Sequence, residues 1–476
     1  MKINKKIYSI ILIIVLCLCS SYSCVLLPRK LEDPHKLVFK PLEFTSPHVE
    51  RIELSNGMVI YFLEDHELPL LTINALFKTG SVFDPDDKLG LAELTGEVIR
   101  SGGTKRLSPE ELNETLEYMA ASIETSIGRE TGSASLSILS KDTDKGLTLF
   151  SEILMSPQFD DKRVELAKEK KLEGIRRRND NPTQAAFRKF GTILYKDDPR
   201  GREEQVEYIN NITREDMIKF YKIFFRPNNC ILGISGDFNR NEMIQKLENL
   251  FSGWERVEGL PQIPIPAYRF QTSMNYIYKD TPQSTIVFGH YIIPKTDSAY
   301  YAFEVLNYIL GGGGFNSRLM REIRSNRGLA YSVGSFYRAE SKYGVFGTYC
   351  MTNASTTYLT TSLIYEVIKD IKSGNLTQEE LDWAKEAIVN QYIFSFSSTE
   401  KIVAQQIELE YDELPQSFFE EYPEKIRMLT LEDVKLVAQK YLRPEEGVLL
   451  ILGNEKLFDK ELSNLGVINK IELEKN

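Results

Sequence analysis

Two stretches of the chain, residues 212–236 and 429–453, align without a gap at a constant offset of 217 residues. One register held over this length indicates an internal duplication, in which each copy forms one structural unit. A chain of 476 residues is also long enough for more than one domain of ordinary size. We therefore expect two similar halves. The matched positions include Thr213 with Thr430, Arg226 with Arg443, Pro227 with Pro444 and Gly236 with Gly453.

Each copy of the repeat predicts a helix followed by a buried strand. Thr213 and Thr430 are suited to cap a helix N-terminus, and the acidic residues that follow them suit the helix dipole. The helix is expected to end before the Arg-Pro pair, because proline has no amide hydrogen to donate and restricts the residue before it. Apolar runs then predict strands over Cys230–Ser235 and Val448–Leu452.

The rest of the two halves repeats one order of elements. Two strands and a helix open each half, and a long helix follows later. This mixture predicts an α+β fold of two homologous domains, each an antiparallel sheet covered by helices. We place the domains at residues 45–258 and 270–460, joined by a proline-containing linker at 259–269. The predicted elements are Met58–Leu63, Thr72–Lys78, Leu89–Arg100 and Lys162–Arg177 in the first half, and Met274–Lys279, Thr285–Ile292, Ala299–Leu310 and Gln378–Tyr392 in the second.

Composition and charge are typical of a globular protein that does not bind nucleic acid. Hydrophobic residues make up 42% and charged residues 26%, which is enough apolar material for packed cores. The formal net charge is −10 and there is no long run of Lys or Arg, so a nucleic-acid partner is not expected. Cys230 and Cys350 lie far apart, and nothing in their spacing indicates a disulfide framework.

The N-terminus predicts a signal peptide over residues 1–24. Three lysines precede an apolar run, Ile7–Leu18, which is too short to span a bilayer comfortably, and small polar residues follow. Ser23 before Cys24 resembles a bacterial lipoprotein cleavage site, although Ser21 stands where leucine is usual. We expect secretion across the inner membrane into the periplasm, with lipidation of Cys24 and outer-membrane anchoring left open. An N-terminal anchor that is never cut is the alternative.

Motifs along nearly the whole mature chain resemble the pitrilysin/insulinase family of zinc peptidases, in its short two-domain bacterial form. In the first half they are FKTGSVFDPDDKLGLAELTGEV at 77–98 and SGGTKRLSPEEL at 101–112. In the second half they are LGGGGFNSRLMREIRSNRGLAYSVGSFY at 310–337 and LTQEELDWAKEAIVNQY at 376–392. Each motif alone is a weak signal, but their order over two repeats is a strong one.

The resemblance also locates a zinc site that this chain lacks. The family signature H-x-x-E-H places two zinc ligands on one helix face with a general base between them, and a later glutamate completes the set. Here the two histidine positions are Glu93 and Glu97, the base position is Gly96, and the later ligand position is Gly174. We therefore expect no metal in this chain. Glu93 and Glu97 are interpreted as two solvated acids, and Gly96 as a residue that weakens the helix by about 1 kcal/mol relative to Ala.

The second half keeps the residues that the family uses to hold substrate near the scissile bond. The resemblance assigns this role to Arg324 and Tyr331, whose guanidinium and phenol groups suit substrate carbonyls and a developing oxyanion. The plainer interpretation is that Tyr331 packs in a strand and Arg324 caps or pairs on a helix. The loop of Gly311, Gly312, Gly313 and Gly314 would permit close passage of a peptide backbone, although a helix stop explains these glycines equally well.

These features predict the non-catalytic subunit of a secreted two-chain zinc metallopeptidase that degrades unfolded peptides. A homologous partner subunit would supply zinc and an intact H-x-x-E-H motif, while this chain would supply Arg324 and Tyr331. The chain alone is expected to be inactive. The alternative is a non-hydrolytic scaffold or peptide-binding protein of the same fold. A third hypothesis, an independent peptidase with an atypical metal at Glu93 and Glu97, lacks a positioned base and a third ligand.

Overall fold

A computed structural model describes residues 47–267 and 272–474. The predicted signal peptide, Cys24 and the last residues of the predicted linker lie outside this range. Within the described residues, no helix is both long enough and apolar enough to cross a membrane.

The strands form two six-stranded sheets whose topology matches over five strands; the sixth, β1 in sheet one and β12 in sheet two, pairs antiparallel in the first sheet and parallel in the second. Sheet one has the order β1-β2-β6-β3-β5-β4, and sheet two has the order β12-β7-β11-β8-β10-β9. Neighbouring strands are antiparallel except where β2 pairs with β6, and where β7 pairs with β11 and β12. The strands of sheet one are β1 (Glu50–Glu53), β2 (Val59–Glu64), β3 (Leu70–Lys78), β4 (Ser122–Ile127), β5 (Thr131–Leu139) and β6 (Cys230–Gly236). Those of sheet two are β7 (Ser273–Tyr278), β8 (Gln283–Ile292), β9 (Ala330–Ala339), β10 (Gly344–Asn353), β11 (Val448–Gly453) and β12 (Ile468–Ile471).

Helices accompany both sheets, which confirms the predicted α+β class. The first set comprises α1 (Leu91–Ser101), α2 (Pro109–Tyr118), α3 (Thr143–Met155), α4 (Asp161–Arg177), α5 (Pro182–Leu194), α6 (Val206–Asn211), α7 (Arg214–Phe224) and α8 (Arg240–Phe251). The second set comprises α9 (Tyr300–Asn307), α10 (Thr357–Lys372), α11 (Gln378–Tyr392), α12 (Thr399–Asp412), α13 (Phe418–Met428) and α14 (Leu431–Tyr441).

The repeated helix α7/α14 forms as its sequence predicts. Thr213 and Thr430 each accept a hydrogen bond from the backbone three residues later, and an aspartate side chain there bonds back to the threonine amide. Both helices end before the Arg-Pro pair and lead into β6 and β11. One prediction differs: the helix expected over Ala299–Leu310 ends at Asn307 and continues as a π-helical turn over Tyr308–Gly312.

Each sheet buries one face under helices of its own half. In β3, alternate residues such as Ile73 and Phe77 are buried with Val98 of α1 and Phe150 of α3 in one apolar cluster. This alternation follows from the two-residue period of a strand. Sheet two has an equivalent core. Cys230 and Cys350 are buried free thiols, one in each half, so they form no disulfide.

The two halves also exchange a helix. Helix α5 follows the first half's long helix and packs on sheet two, where Phe190 joins Val287 and Leu450 in a buried cluster. Helix α12 packs on sheet one, where Val403 and Ile407 meet Tyr61 and Ile231. The first residues of α5 and α12 are separated by the same offset of 217 that relates the repeats. Each half thus covers part of the other half's sheet.

Candidate functional site

Glu93 and Glu97, which the family resemblance places at the two histidine positions, both pair with lysines of α4. Lys171 Nζ lies 2.5 Å from Glu93 Oε2 and 2.8 Å from Glu204 Oε1, and Lys170 Nζ lies 3.1 Å from Glu97 Oε1. Burial acts to lower the pKa of Lys171, but the charges of Glu204 and Glu93 and the hydrogen bonds to both carboxylates together outweigh it and raise that pKa. The Glu93 and Glu97 side chains remain 57% and 41% exposed, which agrees with their interpretation as solvated acids, but each also holds an ammonium group.

Gly96, which the family resemblance places at the general-base position, is packed tightly against sheet one. A Cβ atom at this position would lie 2.4 Å from the Ile127 amide nitrogen and 2.8 Å from the Ser126 carbonyl carbon. The Thr125 hydroxyl donates a 2.6 Å hydrogen bond to the Gly96 carbonyl, which fixes the same close approach of α1 to β4. Glycine is thus what allows the helix to reach the strand, a packing role that the sequence interpretation of Gly96 as a residue that weakens the helix does not include.

Gly174 lies on α4 in a different environment. A Cβ atom there would have no neighbouring atom within 4 Å. Gly174 lines a cleft of about 570 Å³ together with Glu93, Glu97 and both lysines. Every residue that lines the cleft lies between positions 81 and 204, so Arg324 and Tyr331 are not part of it.

A buried carboxylate closes the cleft at the start of α1. Asp84 accepts hydrogen bonds from the amides of Gly90, at 2.8 Å, and Ala92, at 2.9 Å. Both amides belong to the first turn of the helix, whose N–H groups have no partner within the helix. Burial raises the pKa of Asp84 to about 7, against the lowering effect of these two amides.

The residues at this site do not fit a zinc ion. Zinc in proteins takes three or four ligands from Cys, His and carboxylate side chains. Here two glycines supply no ligand, and both glutamates are already neutralised by ammonium groups that would repel a cation. Among residues 47–267 and 272–474, no group of three or more His, Cys, Asp and Glu side chains is arranged to hold a metal.

In the second half, Arg324 and Tyr331 lie next to each other. Arg324 is the fifth residue of a six-residue π-helical segment, Met320–Ser325, and Tyr331 is the second residue of β9. The Arg324 guanidinium carbon lies 5.8 Å from the centre of the Tyr331 ring, and Tyr331 is 80% exposed. In the part of the chain that the structure describes, neither side chain forms a hydrogen bond or an ion pair. The plainer interpretation, a packed tyrosine and a paired arginine, does not describe these residues.

Each glycine of the loop either packs closely against neighbouring atoms or adopts a backbone angle that favours glycine. A Cβ atom at Gly311 would lie 2.4 Å from the Ser335 amide nitrogen, and one at Gly313 would lie 2.5 Å from the Trp383 ring. Gly312 is close to Asn307, and Gly314 has a φ of +64°, which favours glycine. The loop continues α9 as a tight π turn instead of simply ending it.

Sequence reasoning missed the partners of the predicted site residues. Lys170 and Lys171 lie in a run of charged residues that reads as a solvated helix face, and Glu204 lies in a loop. Phe315 follows the glycines, and its ring centre lies 5.1 Å from the Arg324 guanidinium carbon. The sequence could have indicated Lys170 and Lys171, because they lie four and three residues before Gly174 on α4 and so share its helix face. Nothing in the sequence indicated Phe315.

Comparison with protein families agrees with this two-part structure. Residues 62–204 match the family model described as insulinase, peptidase family M16, and residues 211–388 match the model described as the peptidase M16 inactive domain. Together the two models cover more than half of the chain.

Known relatives of similar length include proteins with and without an assigned peptidase name. The chain is 26% identical over 424 residues to the non-peptidase homologue YmxG of Helicobacter pylori, covering 88% of this chain and 97% of the relative. It is also 26% identical over 321 residues to an uncharacterized zinc protease of Rickettsia felis, covering 67% and 76%. The crystal structure of a peptidase M16 inactive domain from Pseudomonas fluorescens superposes with a TM-score of 0.80 at 26% identity, covering 86% and 98%.

Proposed function

This chain belongs to the insulinase family, peptidase family M16, and on that premise we propose that it is a non-hydrolytic member that binds unfolded peptides. The observation that carries the proposal is the Lys171 ammonium group between Glu93 and Glu204, where the family holds its metal. A positive charge at this place cannot polarise water as a bound zinc does. Gly96 against β4 leaves no space for a general base.

Peptide binding is supported by the second half. Arg324 and Tyr331 are adjacent donors that form no hydrogen bond or ion pair with the described residues, and both suit the carbonyl groups of a peptide. Strand β9, which contains Tyr331, ends sheet two. An end strand leaves backbone N–H and C=O groups that can pair with an extended peptide.

Binding of an unfolded polypeptide tests this proposal. The probe is fluorescein-labelled, reduced and carboxymethylated α-lactalbumin, and the measurement is fluorescence anisotropy with the purified chain. We expect Arg324→Ala to weaken binding by about tenfold or more, because hydrogen bonds to a charged group contribute about 1.5–3 kcal/mol. Tyr331→Phe should weaken binding less. The control is Arg327→Ala, which removes an exposed arginine of the same segment that pairs with Glu322. Unchanged binding in both site variants would refute the proposal.

A second candidate is the non-catalytic subunit of a two-chain zinc peptidase. Tyr331 is exposed, and the half-buried Arg324 forms no hydrogen bond or ion pair with the described residues. This favours the second candidate, since groups that complete a partner's active site must be available in the isolated chain. The partner would be a homologous subunit with an intact H-x-x-E-H motif, and it would carry the zinc.

Mixing experiments distinguish the two candidates. The chain is combined with a family member from the same host that has the intact motif, and hydrolysis of the labelled α-lactalbumin is followed. The two-chain candidate requires activity that appears only in the mixture and falls by about 10²-fold or more in Arg324→Ala, as for loss of an oxyanion donor. Peptide binding without hydrolysis in the mixture would support the non-hydrolytic proposal and contradict the two-chain candidate.

Secretion is part of the proposal. The basic start and the apolar run Ile7–Leu18 support export through a signal peptide of residues 1–24, with function in the periplasm. Lipidation of Cys24 is the further possibility that Ser23-Cys24 raises. Mass spectrometry of the N-terminal peptide from the native host tests both, because cleavage and lipid each change its mass by a defined amount.

A further inference from the structure

The exposed phenylalanine beside Arg324 is placed by the glycine loop. Phe315 occupies a short turn, Gly314–Asn316, and is 67% exposed. The Ser317 amide and hydroxyl both donate to the Gly314 carbonyl, at 3.1 Å and 2.7 Å, which fixes the turn. The φ of +64° at Gly314 directs the chain into it. The tight backbone of this loop therefore brings the Phe315 ring to the Arg324 side chain.

Within the described residues, two aromatic rings hold the Arg324 guanidinium group. Its guanidinium carbon lies 5.1 Å from the centre of the Phe315 ring and 5.8 Å from that of the Tyr331 ring, both within cation–π range. Such contacts use the positive charge and leave N–H donors for other partners. No hydrogen bond or ion pair engages these donors within residues 47–267 and 272–474. The two rings thus restrict the side chain without occupying its donors.

We propose that Phe315 is a positioning residue of the peptide-binding site, which orients the Arg324 guanidinium toward acceptor oxygens of a bound peptide. The inference rests on the proposed function. An arginine side chain has much rotational freedom, and fixing it on binding reduces affinity. A ring that restricts it beforehand lowers that cost, which is the general effect of preorganisation. The ligand class is the backbone carbonyl or carboxylate of an unfolded peptide.

Substitutions at Phe315 test the inference with the same labelled α-lactalbumin. Phe315→Leu should weaken binding by about two- to fivefold, the effect of one exposed cation–π contact. Phe315→Tyr keeps a ring and should bind as the wild type does. Since Phe315 is exposed, both variants should fold, and thermal unfolding is measured alongside. Phe315→Met provides a second non-aromatic variant and should behave like the leucine variant.

A double-mutant cycle separates positioning from direct contact. If Phe315 acts through Arg324, Phe315→Leu should change nothing further in an Arg324→Ala background. An undiminished effect in that background would mean that the ring contacts peptide by itself, and would overturn the inference. Full binding by Phe315→Leu while Arg324→Ala loses it would also overturn the inference but leave the proposed function standing. Full binding by both Arg324→Ala and Tyr331→Phe would remove the proposed function itself.

Discussion

Among individual residues, Gly96 and Gly174 look alike in the sequence and differ in the structure. Both lie inside helices at positions where the family has functional glutamates. Gly96 packs against the backbone of β4, whereas Gly174 faces open space. The family resemblance assigns both glycines to the zinc site, but the sequence cannot distinguish a glycine that is required by packing from one that is merely tolerated. That distinction depends on the distance between a helix and a strand that are far apart in sequence.

The two glycines should therefore respond in opposite directions to alanine. Gly96→Ala should lower the free energy of unfolding by about 2 kcal/mol, because the methyl group overlaps backbone atoms that cannot easily move. Gly174→Ala should raise it by about 0.5–1 kcal/mol, because alanine favours the helix and finds no obstacle. Urea denaturation of both variants measures the difference. A stabilising Gly96→Ala would contradict the packing described for α1 and β4.

At the level of helices and strands, His290 joins β8 to the segment that follows α14. Its Nε2 accepts a hydrogen bond from the Arg443 amide at 3.3 Å, and its Nδ1 lies 2.8 Å from the Tyr291 carbonyl, which it contacts as a donor. This pattern requires a neutral ring. Burial lowers the pKa of His290 to about 4. The repeat predicts the helix and the strand that meet here, but it does not predict the histidine that links them.

His290 should make the protein sensitive to acid. Its folded pKa lies below the unfolded value of about 6.5, so the unfolded state holds more protons between pH 6.5 and 4. The contribution of neutral His290 to the free energy of unfolding is fully present above pH 6.5. It is lost as the pH falls toward 4, by up to about 3 kcal/mol. His290→Gln, which keeps an uncharged acceptor, should lose less stability over this range. Urea denaturation at several pH values measures the difference between the two proteins.

The comparison with the variant is needed because two buried acids act in the opposite direction. Burial raises the pKa of Asp84 and of Glu304 to about 7. Their contribution is present below about pH 4 and is lost as the pH rises toward 7. These groups are unchanged in His290→Gln, so they cancel in the difference. Identical pH profiles for the two proteins would show that His290 is not held neutral.

For the molecule as a whole, the exchange of α5 and α12 joins the two halves. The sequence predicts two similar α+β units, and the sheet topology agrees. The amphipathic pattern of α5 shows that one face is buried, but it does not show which sheet covers that face. Glycines in the central strands allow these helices to approach. A Cβ atom at Gly233 of β6 would lie 2.4 Å from Val403 of α12, and one at Gly289 of β8 would lie 2.9 Å from Phe190 of α5.

The two halves should therefore unfold together. The chain has two tryptophans, Trp254 in the core of the first half and Trp383 beside the core of the second. Trp254→Phe keeps only Trp383, whose fluorescence reports unfolding of the second half. Trp383→Phe keeps only Trp254, which reports unfolding of the first half. Phe190→Ala should shift both transitions together, with a loss of about 3–5 kcal/mol for an emptied core position. Phe394→Ala, at an exposed aromatic residue, should shift neither. If Phe190→Ala shifted only the unfolding transition reported by Trp383, the halves would unfold independently.

The central claim is that the first half cannot hold the metal while the second half still binds peptide. The purified chain is incubated with excess zinc, desalted, and analysed for bound metal, with peptide binding and hydrolysis measured on the same sample. We predict no stoichiometric zinc and no hydrolysis, together with binding of the labelled α-lactalbumin that depends on Arg324. One tightly held zinc per chain, with cleavage of that substrate by the chain alone, would contradict the claim.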